Sequence, residues 1–165
     1  MTLFSPPLVS LAATVIDTAR EKGWHIATAE SCTGGLIAAC LTDVAGSSDV
    51  VDRGFITYAN AAKVEMVNVS AKTLALSGAV SEGVAGEMAY GTLAASQADI
   101  AVAVTGIAGP GGGTAEKPVG LVYIAVATAG RVQVAKHLFT GDRTAIRLQT
   151  VEAALRALHA AIVQL

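Results

Sequence analysis

Apolar residues recur along the chain with two different spacings, and together these predict helices that alternate with strands. Leu8, Leu11 and Val15 lie three or four positions apart, which is typical of one face of a helix. Residues 100–104 instead form an unbroken apolar run, which indicates a central strand that is buried on both of its faces.

The pattern predicts six helices and five strands in a single domain that covers residues 1–165. The helices are expected to begin after Ser5, Gly35, Asn60, Ser70, Ser81 and Asp142, and Gly23 is expected to end the first one. The strands are expected at residues 24–29, 54–59, 100–104, 121–128 and 132–139. This order predicts an α/β fold, a three-layer α/β/α sandwich with a mixed, mostly parallel sheet that includes one hairpin.

The composition agrees with such a domain and excludes several kinds of partner. Hydrophobic residues make up 53% of the 165 residues and charged residues only 15%, so the chain is predicted to be globular. There are 11 basic and 13 acidic residues and no basic run, which predicts no binding to nucleic acid or to an acidic membrane. No apolar segment is long enough to span a bilayer.

Cysteine usage and the start of the chain predict a soluble cytoplasmic protein. Cys32 and Cys40 are eight positions apart on a predicted helix, which places them roughly 12 Å apart and too far for a disulfide. Because the sequence has neither a metal-binding spacing of cysteine and histidine nor a signal peptide, we expect no metal and a reducing compartment.

The stretch at residues 28–35 is the first candidate for chemistry. Ser31, Cys32 and Thr33 lie where a predicted strand turns into a helix, so free backbone N–H groups and the helix dipole favour negative charge there. A hydroxyl or thiol at such a turn can attack an electrophile. The alternative is that Ser31 or Thr33 only caps the helix while Gly34 and Gly35 permit close packing.

A glycine-rich loop at residues 105–114 is the second candidate. It follows the apolar strand directly, so both loops are expected at the carboxyl edge of the sheet, where ligands of open α/β sheets bind. The dinucleotide-binding fingerprint is absent, because Thr114 stands where it needs glycine, and no Walker sequence occurs. A backbone nest for a phosphate and a passive surface connection both remain open.

Lys63 is the most plausible base for Ser31. His25 is expected at the opposite edge of the sheet, and His137 in a hairpin strand and His159 within a helix are expected to be structural or solvent-facing. A Ser–His–Asp triad is therefore poorly supported. A neutral Lys63 could accept the hydroxyl proton, and Tyr58 could relay that proton or hold the lysine in place. A surface lysine with a half-buried tyrosine is the alternative, and the Cys32 thiol is the second candidate nucleophile.

Six motifs in order give the chain a family resemblance. They are AESCTGG (29–35), GSS (46–48), YxNxxK (58–63), GAVSE (78–82), TGIAGPxGG (105–113) and KPVG (117–120). With these motifs the chain resembles the CinA C-terminal domain family, whose characterised activity is the deamidation of nicotinamide mononucleotide (NMN). The resemblance implies an α/β/α fold with a mixed sheet, a homodimer, and release of nicotinate mononucleotide and ammonia in pyridine nucleotide salvage.

The resemblance also implies roles for particular residues. Ser31 is the expected nucleophile, with Lys63 and Tyr58 as its catalytic partners and Thr105 as a further active-site residue. The expected substrate-binding residues, taken from the two loops and the last helix, are Glu30, Cys32, Thr33, Gly34, Gly35, Gly106, Gly109, Gly112, Gly113 and Arg143. The expected reaction passes through a Ser31 acyl-enzyme and needs neither metal nor cofactor.

Two departures from the family pattern and two alternatives accompany this interpretation. Many members carry a larger N-terminal domain, so the chain resembles the stand-alone form. Asn68 stands where glycine is expected after the Lys63 helix, and asparagine tolerates the left-handed conformation. The alternatives are a non-catalytic nucleotide-binding or regulatory module that uses the same loops, and an amidase for another substrate.

Overall fold

The computed structural model describes residues 3–165, in which six α-helices cover the two faces of a five-stranded sheet. The helices are α1 (Pro6–Lys22), α2 (Leu36–Thr42), α3 (Asn60–Val67), α4 (Ala71–Ser77), α5 (Glu82–Ala94) and α6 (Arg143–Gln164). The strands are β1 (Ile26–Glu30), β2 (Val51–Ile56), β3 (Ile100–Gly106), β4 (Leu121–Thr128) and β5 (Arg131–Leu138). None of these helices is long and apolar enough to cross a bilayer.

The sheet is mixed, as predicted. Its strand order is β2-β1-β3-β4-β5. β1 pairs in parallel with β2 on one side and with β3 on the other. β4 is antiparallel to β3, and β4 and β5 form the expected hairpin. The three parallel strands therefore end at the same edge of the sheet, where their following loops meet.

Side chains of different size on the two faces of β3 create two unequal helix layers. Ile100, Val102 and Val104 pack into a large core with α1, α2 and α6. Ala103 faces a smaller cluster that contains α5 residues and further alanines of the sheet. Because alanine side chains are small, α5 can pack closer to the backbone of the sheet on this face than helices can on the opposite face, where the side chains are larger.

Three of the six predicted helix starts are confirmed by capping hydrogen bonds from the first turn. The hydroxyls of Ser70 and Ser81 and the carboxylate of Asp142 accept from the backbone N–H three residues later, at 3.4, 3.3 and 2.8 Å. Ser5 occupies the capping position of α1 but its side chain makes no capping bond, and Gly23 ends α1 with φ +71°.

Three predicted boundaries beside the candidate active site were wrong, and one of them is the end of β3, which continues through Thr105 and Gly106 instead of ending at residue 104. β2 covers Val51–Ile56 rather than residues 54–59, because its pairing with β1 runs from Val51 to Ile56. α3 is preceded by Ala59 in extended conformation, so Asn60 is its first residue and not its cap. Thr57 and Tyr58 therefore lie in the connection between strand and helix.

The end of α3 lies directly against α5, and two residues make this possible. Asn68 has φ +55°, the left-handed conformation expected for it, and its N–H bonds to the Val64 carbonyl at 3.0 Å. A Cβ atom on Gly91 of α5 would coincide with the carbonyl oxygen of Val67. Only glycine at position 91 therefore lets α3 occupy its place.

We expect Gly91→Ala to lower the free energy of unfolding by about 3 kcal/mol or more, because a backbone carbonyl cannot move aside like a side chain. The matched control is Gly86→Ala in the same helix, where the new methyl would lie 3.5 Å from Val134, an ordinary contact. Its higher helix propensity should leave stability equal or up to about 1 kcal/mol greater. Urea unfolding of both variants measures this, and equal midpoints would contradict the packing argument.

Candidate active site

The register of the parallel strands brings three segments together at one edge of the sheet. Glu30 of β1 is level with Ile56 of β2 and with Val104 of β3. The pairing continues one residue further, since the N–H of Ser31 donates to the Val104 carbonyl at 3.2 Å and the N–H of Thr57 to the Glu30 carbonyl at 2.9 Å. Ser31 and Thr57, which directly follow β1 and β2, therefore lie side by side near Thr105 at the end of β3.

A cavity of about 210 Å³ opens at this edge. It is lined by Ser31, Cys32, Tyr58, Asn60, Lys63, Ala79, Val80, Thr105, Gly106, Ala108 and Arg143. A larger cavity of about 680 Å³ lies between α3, α5 and β5. Its lining includes three glutamates and Tyr90 but no serine, cysteine, threonine, lysine or histidine, so the smaller cavity is the one with the means for nucleophilic chemistry.

Lys63 projects from α3 into the interior and ends beside Ser31. The side chain is only 1% exposed. Its Nζ lies 3.1 Å from the Ser31 Oγ, 2.7 Å from the Thr57 carbonyl oxygen and 3.3 Å from the Tyr58 carbonyl oxygen. No carboxylate within residues 3–165 forms an ion pair with it.

Burial lowers the pKa of Lys63, because the charged ammonium loses hydration that two carbonyl oxygens replace only in part. A neutral amine has two N–H donors and one lone pair. The two donors match the Thr57 and Tyr58 carbonyls, and the lone pair is left for the Ser31 hydroxyl proton. The arrangement can therefore draw a proton from Ser31.

Tyr58 holds the lysine through its backbone and not through its side chain. Its ring is 60% exposed, and its hydroxyl accepts a hydrogen bond from Arg143 Nη2 at 3.2 Å. Arg143 Nη1 donates to the Gly109 carbonyl at 2.8 Å. The hydroxyl thus lies with Arg143 on the exposed side of the cavity, and this corrects the expectation that it relays a proton to or from Lys63.

Glu30 and Thr33, expected to bind substrate, are buried and contact α2 instead. One Glu30 oxygen accepts from the Thr33 hydroxyl at 2.7 Å and from the Ile37 N–H at 2.8 Å, and the other from the Ala38 N–H at 3.0 Å. Neither residue lines the cavity. The Glu30 carboxylate therefore satisfies the open N–H groups of the first turn of α2, across the turn that carries Ser31.

Cys32 lines the cavity but is a poor nucleophile. It is 5% exposed, and burial raises the pKa of its thiol to about 11. The expectation that a helix N-terminus would lower this pKa was therefore wrong, because loss of hydration outweighs the backbone hydrogen bond and the Arg147 charge that lower it. At neutral pH the thiol is protonated and only weakly reactive.

The glycine-rich loop contributes less to the cavity than expected. Thr105 and Gly106 line it, and the Thr105 hydroxyl donates to the Ala79 carbonyl at 2.8 Å. Gly109 reaches the site only through its bond from Arg143. The remaining expected glycines, which do not line the cavity, are Gly34, Gly35, Gly112 and Gly113.

None of the histidines belongs to the cavity, as predicted. His25 precedes β1 at the far end of that strand from Ser31, and its Nδ1 lies 3.5 Å from Asp99. His137 of β5 stacks on the Phe139 ring with 5.1 Å between centroids, and burial lowers the pKa of its imidazole. His159 lies within α6.

Sequence reasoning missed Arg147, which holds the nucleophile turn from behind. Its Nε donates to the Cys32 carbonyl and its Nη2 to the Thr33 carbonyl, both at 3.0 Å. The available signal was its spacing, because Arg147 follows Arg143 by four residues and therefore lies on the same face of α6.

The structure thus defines a three-layer α/β/α domain with a serine–lysine pair at the carboxyl edge of its parallel strands. Residues 8–162 match the CinA C-terminal domain, and the chain belongs to this family.

Named relatives and a solved structure agree with this family assignment. A protein of Enterobacter agglomerans, named "Nicotinamide-nucleotide amidohydrolase PncC", is 60% identical over 79% of this chain and 80% of its own length. A protein of the same name from Escherichia coli K12 is 50% identical over 92% of both chains. The crystal structure of competence/damage inducible protein CihA from Agrobacterium tumefaciens has a TM-score of 0.95 and 52% identity, covering 97% of this chain and 98% of that one.

Proposed function

We propose that the chain is an amidohydrolase that converts NMN and water to nicotinate mononucleotide and ammonia, within pyridine nucleotide (NAD) salvage. The observation that carries this proposal is the distance of 3.1 Å between Lys63 Nζ and Ser31 Oγ, with the amine buried and in no ion pair with a carboxylate of the described part of the chain. The names of the two PncC relatives support the substrate. The free thiols Cys32 and Cys40 suit a reducing compartment, and we place the reaction in the cytoplasm.

Acylation would begin with neutral Lys63. Its lone pair takes the proton of the Ser31 hydroxyl while the oxygen bonds to the carboxamide carbon, and the carbonyl electron pair moves onto the substrate oxygen. When this tetrahedral intermediate collapses, the carbon–nitrogen bond breaks and the Lys63 ammonium returns its proton to the leaving nitrogen. Ammonia leaves, and the nicotinoyl group stays on Ser31 as an ester.

Deacylation would use the same base. Lys63 takes a proton from water as the water oxygen attacks the ester carbon, and then returns it to Ser31 as the serine leaves. The acid product is released with the enzyme in its starting state. Neither step requires a metal or a cofactor.

The turn after β1 supplies donors for the negatively charged oxygen. The N–H of Ser31 is already bonded to Val104, and that of Gly34 to the Ser31 carbonyl at 3.1 Å. The N–H groups of Cys32 and Thr33 have no backbone acceptor within residues 3–165, and of these two residues only Cys32 lines the cavity, so its N–H is the available donor. In comparable sites one such donor contributes about 3–4 kcal/mol to the stability of the transition state.

The size of the cavity suits only part of a nucleotide. Its 210 Å³ is below the range of about 300–1,000 Å³ typical of complete ligand pockets. We therefore place the carboxamide ring inside, between Ser31 and Thr105, and the ribose phosphate at the mouth. There the Arg143 guanidinium, oriented by the Tyr58 hydroxyl and the Gly109 carbonyl, would bind the phosphate.

We expect Ser31→Ala and Lys63→Met each to reduce ammonia release from NMN by at least about a thousandfold, because each removes one half of the proton transfer. Lys72→Met is the matched control, since Lys72 is exposed on α4 and should leave activity unchanged. Calorimetry with Ser31→Ala should still detect NMN binding. Near-normal turnover in either site variant would contradict the mechanism, and NMN binding without turnover in the native protein would favour the non-catalytic module.

The pH dependence should identify the base. Only neutral Lys63 can accept the proton, so kcat/KM should rise with pH as the Lys63 ammonium loses its proton. The midpoint of this rise should lie below the ordinary lysine pKa of about 10.4. Between the lowered pKa of Lys63 in the folded protein and the ordinary lysine pKa of the unfolded chain, the unfolded chain binds more protons than the folded one. The free energy of unfolding should therefore also rise with pH in this range, by up to about 1.4 kcal/mol per pH unit. Initial rates and urea unfolding measure both effects. If the free energy of unfolding depends on pH in the same way in Lys63→Met as in the native protein, this assignment is contradicted.

The family resemblance also supports a homodimer as the assembled form. Light scattering on the purified protein at assay concentration should give about twice the chain mass of 16.5 kDa. A mass of one chain at every concentration tested would exclude this assembly.

A further inference from the structure

Arg147 is joined to the turn that carries Ser31 by two parallel hydrogen bonds. Its Nε and Nη2 donate to the carbonyls of Cys32 and Thr33 at 3.0 Å each. The guanidinium is half-buried, and it forms no ion pair with any carboxylate of residues 3–165. Its positive charge is therefore directed at the backbone of the turn, and not balanced by an acid.

The planarity of the peptide group turns this contact into control of an N–H direction. In a trans peptide the carbonyl and the N–H of the same plane point in opposite directions. By fixing the Thr33 carbonyl, Arg147 fixes the Gly34 N–H of the same peptide, which donates to the Ser31 carbonyl at 3.1 Å. That bond in turn fixes the opposite group of the Ser31–Cys32 peptide, the N–H of Cys32, which has no backbone acceptor within residues 3–165 and belongs to a residue that lines the cavity.

We propose that Arg147 is a positioning residue for the oxyanion donor of the Ser31 turn, an inference that rests on the proposed hydrolysis. Through these bonds its fork keeps the Cys32 N–H directed at a charged substrate oxygen, and its charge polarises the connected peptides so that this N–H becomes a stronger donor. Arg147 does not line the cavity, so it acts through the backbone and does not contact the substrate.

A purely structural role, in which Arg147 only attaches α6 to the turn, makes a different prediction. Loss of that attachment would lower stability, and kcat would then fall only by the unfolded fraction at the assay temperature, with KM unchanged. Loss of the oriented donor would instead lower kcat far more than the unfolded fraction explains, while KM stays nearly constant because the oxygen becomes charged only in the transition state.

The variants Arg147→Gln and Arg147→Lys separate these roles. Gln removes both the charge and the fork, whereas Lys keeps the charge but loses the two-pronged geometry. Arg156→Gln is the matched control, because Arg156 lies on the same helix and pairs with Glu152 at 2.7 Å on the exposed surface. Each protein is assayed for ammonia release from NMN and for the rate at which Ser31 reacts with a fluorophosphonate, which also develops a charged oxygen at the turn.

Thermal unfolding is expected to show that Arg147→Gln has the native fold at the assay temperature. We then expect this variant to lower kcat and the rate of reaction with the fluorophosphonate about 10- to 100-fold, and to change KM less than about threefold. Arg147→Lys should fall between Gln and the native protein, and Arg156→Gln should match the native protein. Rates within twofold of native in Arg147→Gln would overturn the inference. So would a rise in KM alone, or losses explained by unfolding in both Arg147 variants.

The probe keeps this test separate from the proposed substrate. If the native protein reacts with the fluorophosphonate but releases no ammonia from NMN, the substrate is wrong, and the probe rates alone decide the role of Arg147. If the native protein does neither, Ser31 is not a nucleophile, and the inference fails together with the proposed function.

Discussion

Lys63 carries an amine into the interior, where an ammonium would lose most of its hydration, and much of the surrounding structure serves to hold it there. Among residues 3–165, the groups that replace its water are two carbonyl oxygens and the Ser31 hydroxyl. Those carbonyls belong to Thr57 and Tyr58, which are free to face the lysine because β2 has already ended at Ile56. The position at which one strand ends thus decides the state of the base.

The nucleophile turn is held from two sides by opposite charges. The Glu30 carboxylate accepts from the N–H groups at the start of α2, while the Arg147 guanidinium donates to the carbonyls of the turn itself. The carboxylate can only accept hydrogen bonds and the guanidinium can only donate them, so each satisfies backbone groups that the other cannot. Ser31 lies between these two anchors, so its hydroxyl is presented by a rigid backbone although it occupies a connection between elements.

The sequence predicted those parts of the fold that depend on local pattern. The apolar run of β3 and the caps at Ser70, Ser81 and Asp142 depend on burial or on bonds three residues away, and both leave a visible trace in the chain. β2 was misplaced because it is an edge strand that includes Asp52 and Arg53, so its pairing with β1 has no continuous apolar signal.

The details of the site were harder to predict because they depend on contacts distant in sequence. The Lys63 base was inferred, but its distance to Ser31 follows from strand register, which periodicity does not specify. The Cys32 pKa was misjudged because the helix dipole is a local property whereas burial is a global one. Arg147 reaches the turn from 115 residues away, and only its spacing from Arg143 hinted at a shared role.

The unequal packing of the sheet explains why the two halves of the site come from different layers. On the side where β3 presents alanine, α5 lies close to the sheet, and Gly91 lets the end of α3 settle against it. The position of Lys63 on α3 therefore depends on close backbone contacts, which tolerate few substitutions. On the side where β3 presents isoleucine and valine, α6 packs against the larger core, and its Arg147 side chain reaches the Ser31 turn. The base is thus supported from the alanine face of β3, where Gly91 allows close packing, and the nucleophile turn from the isoleucine and valine face, where the long Arg147 side chain donates to it.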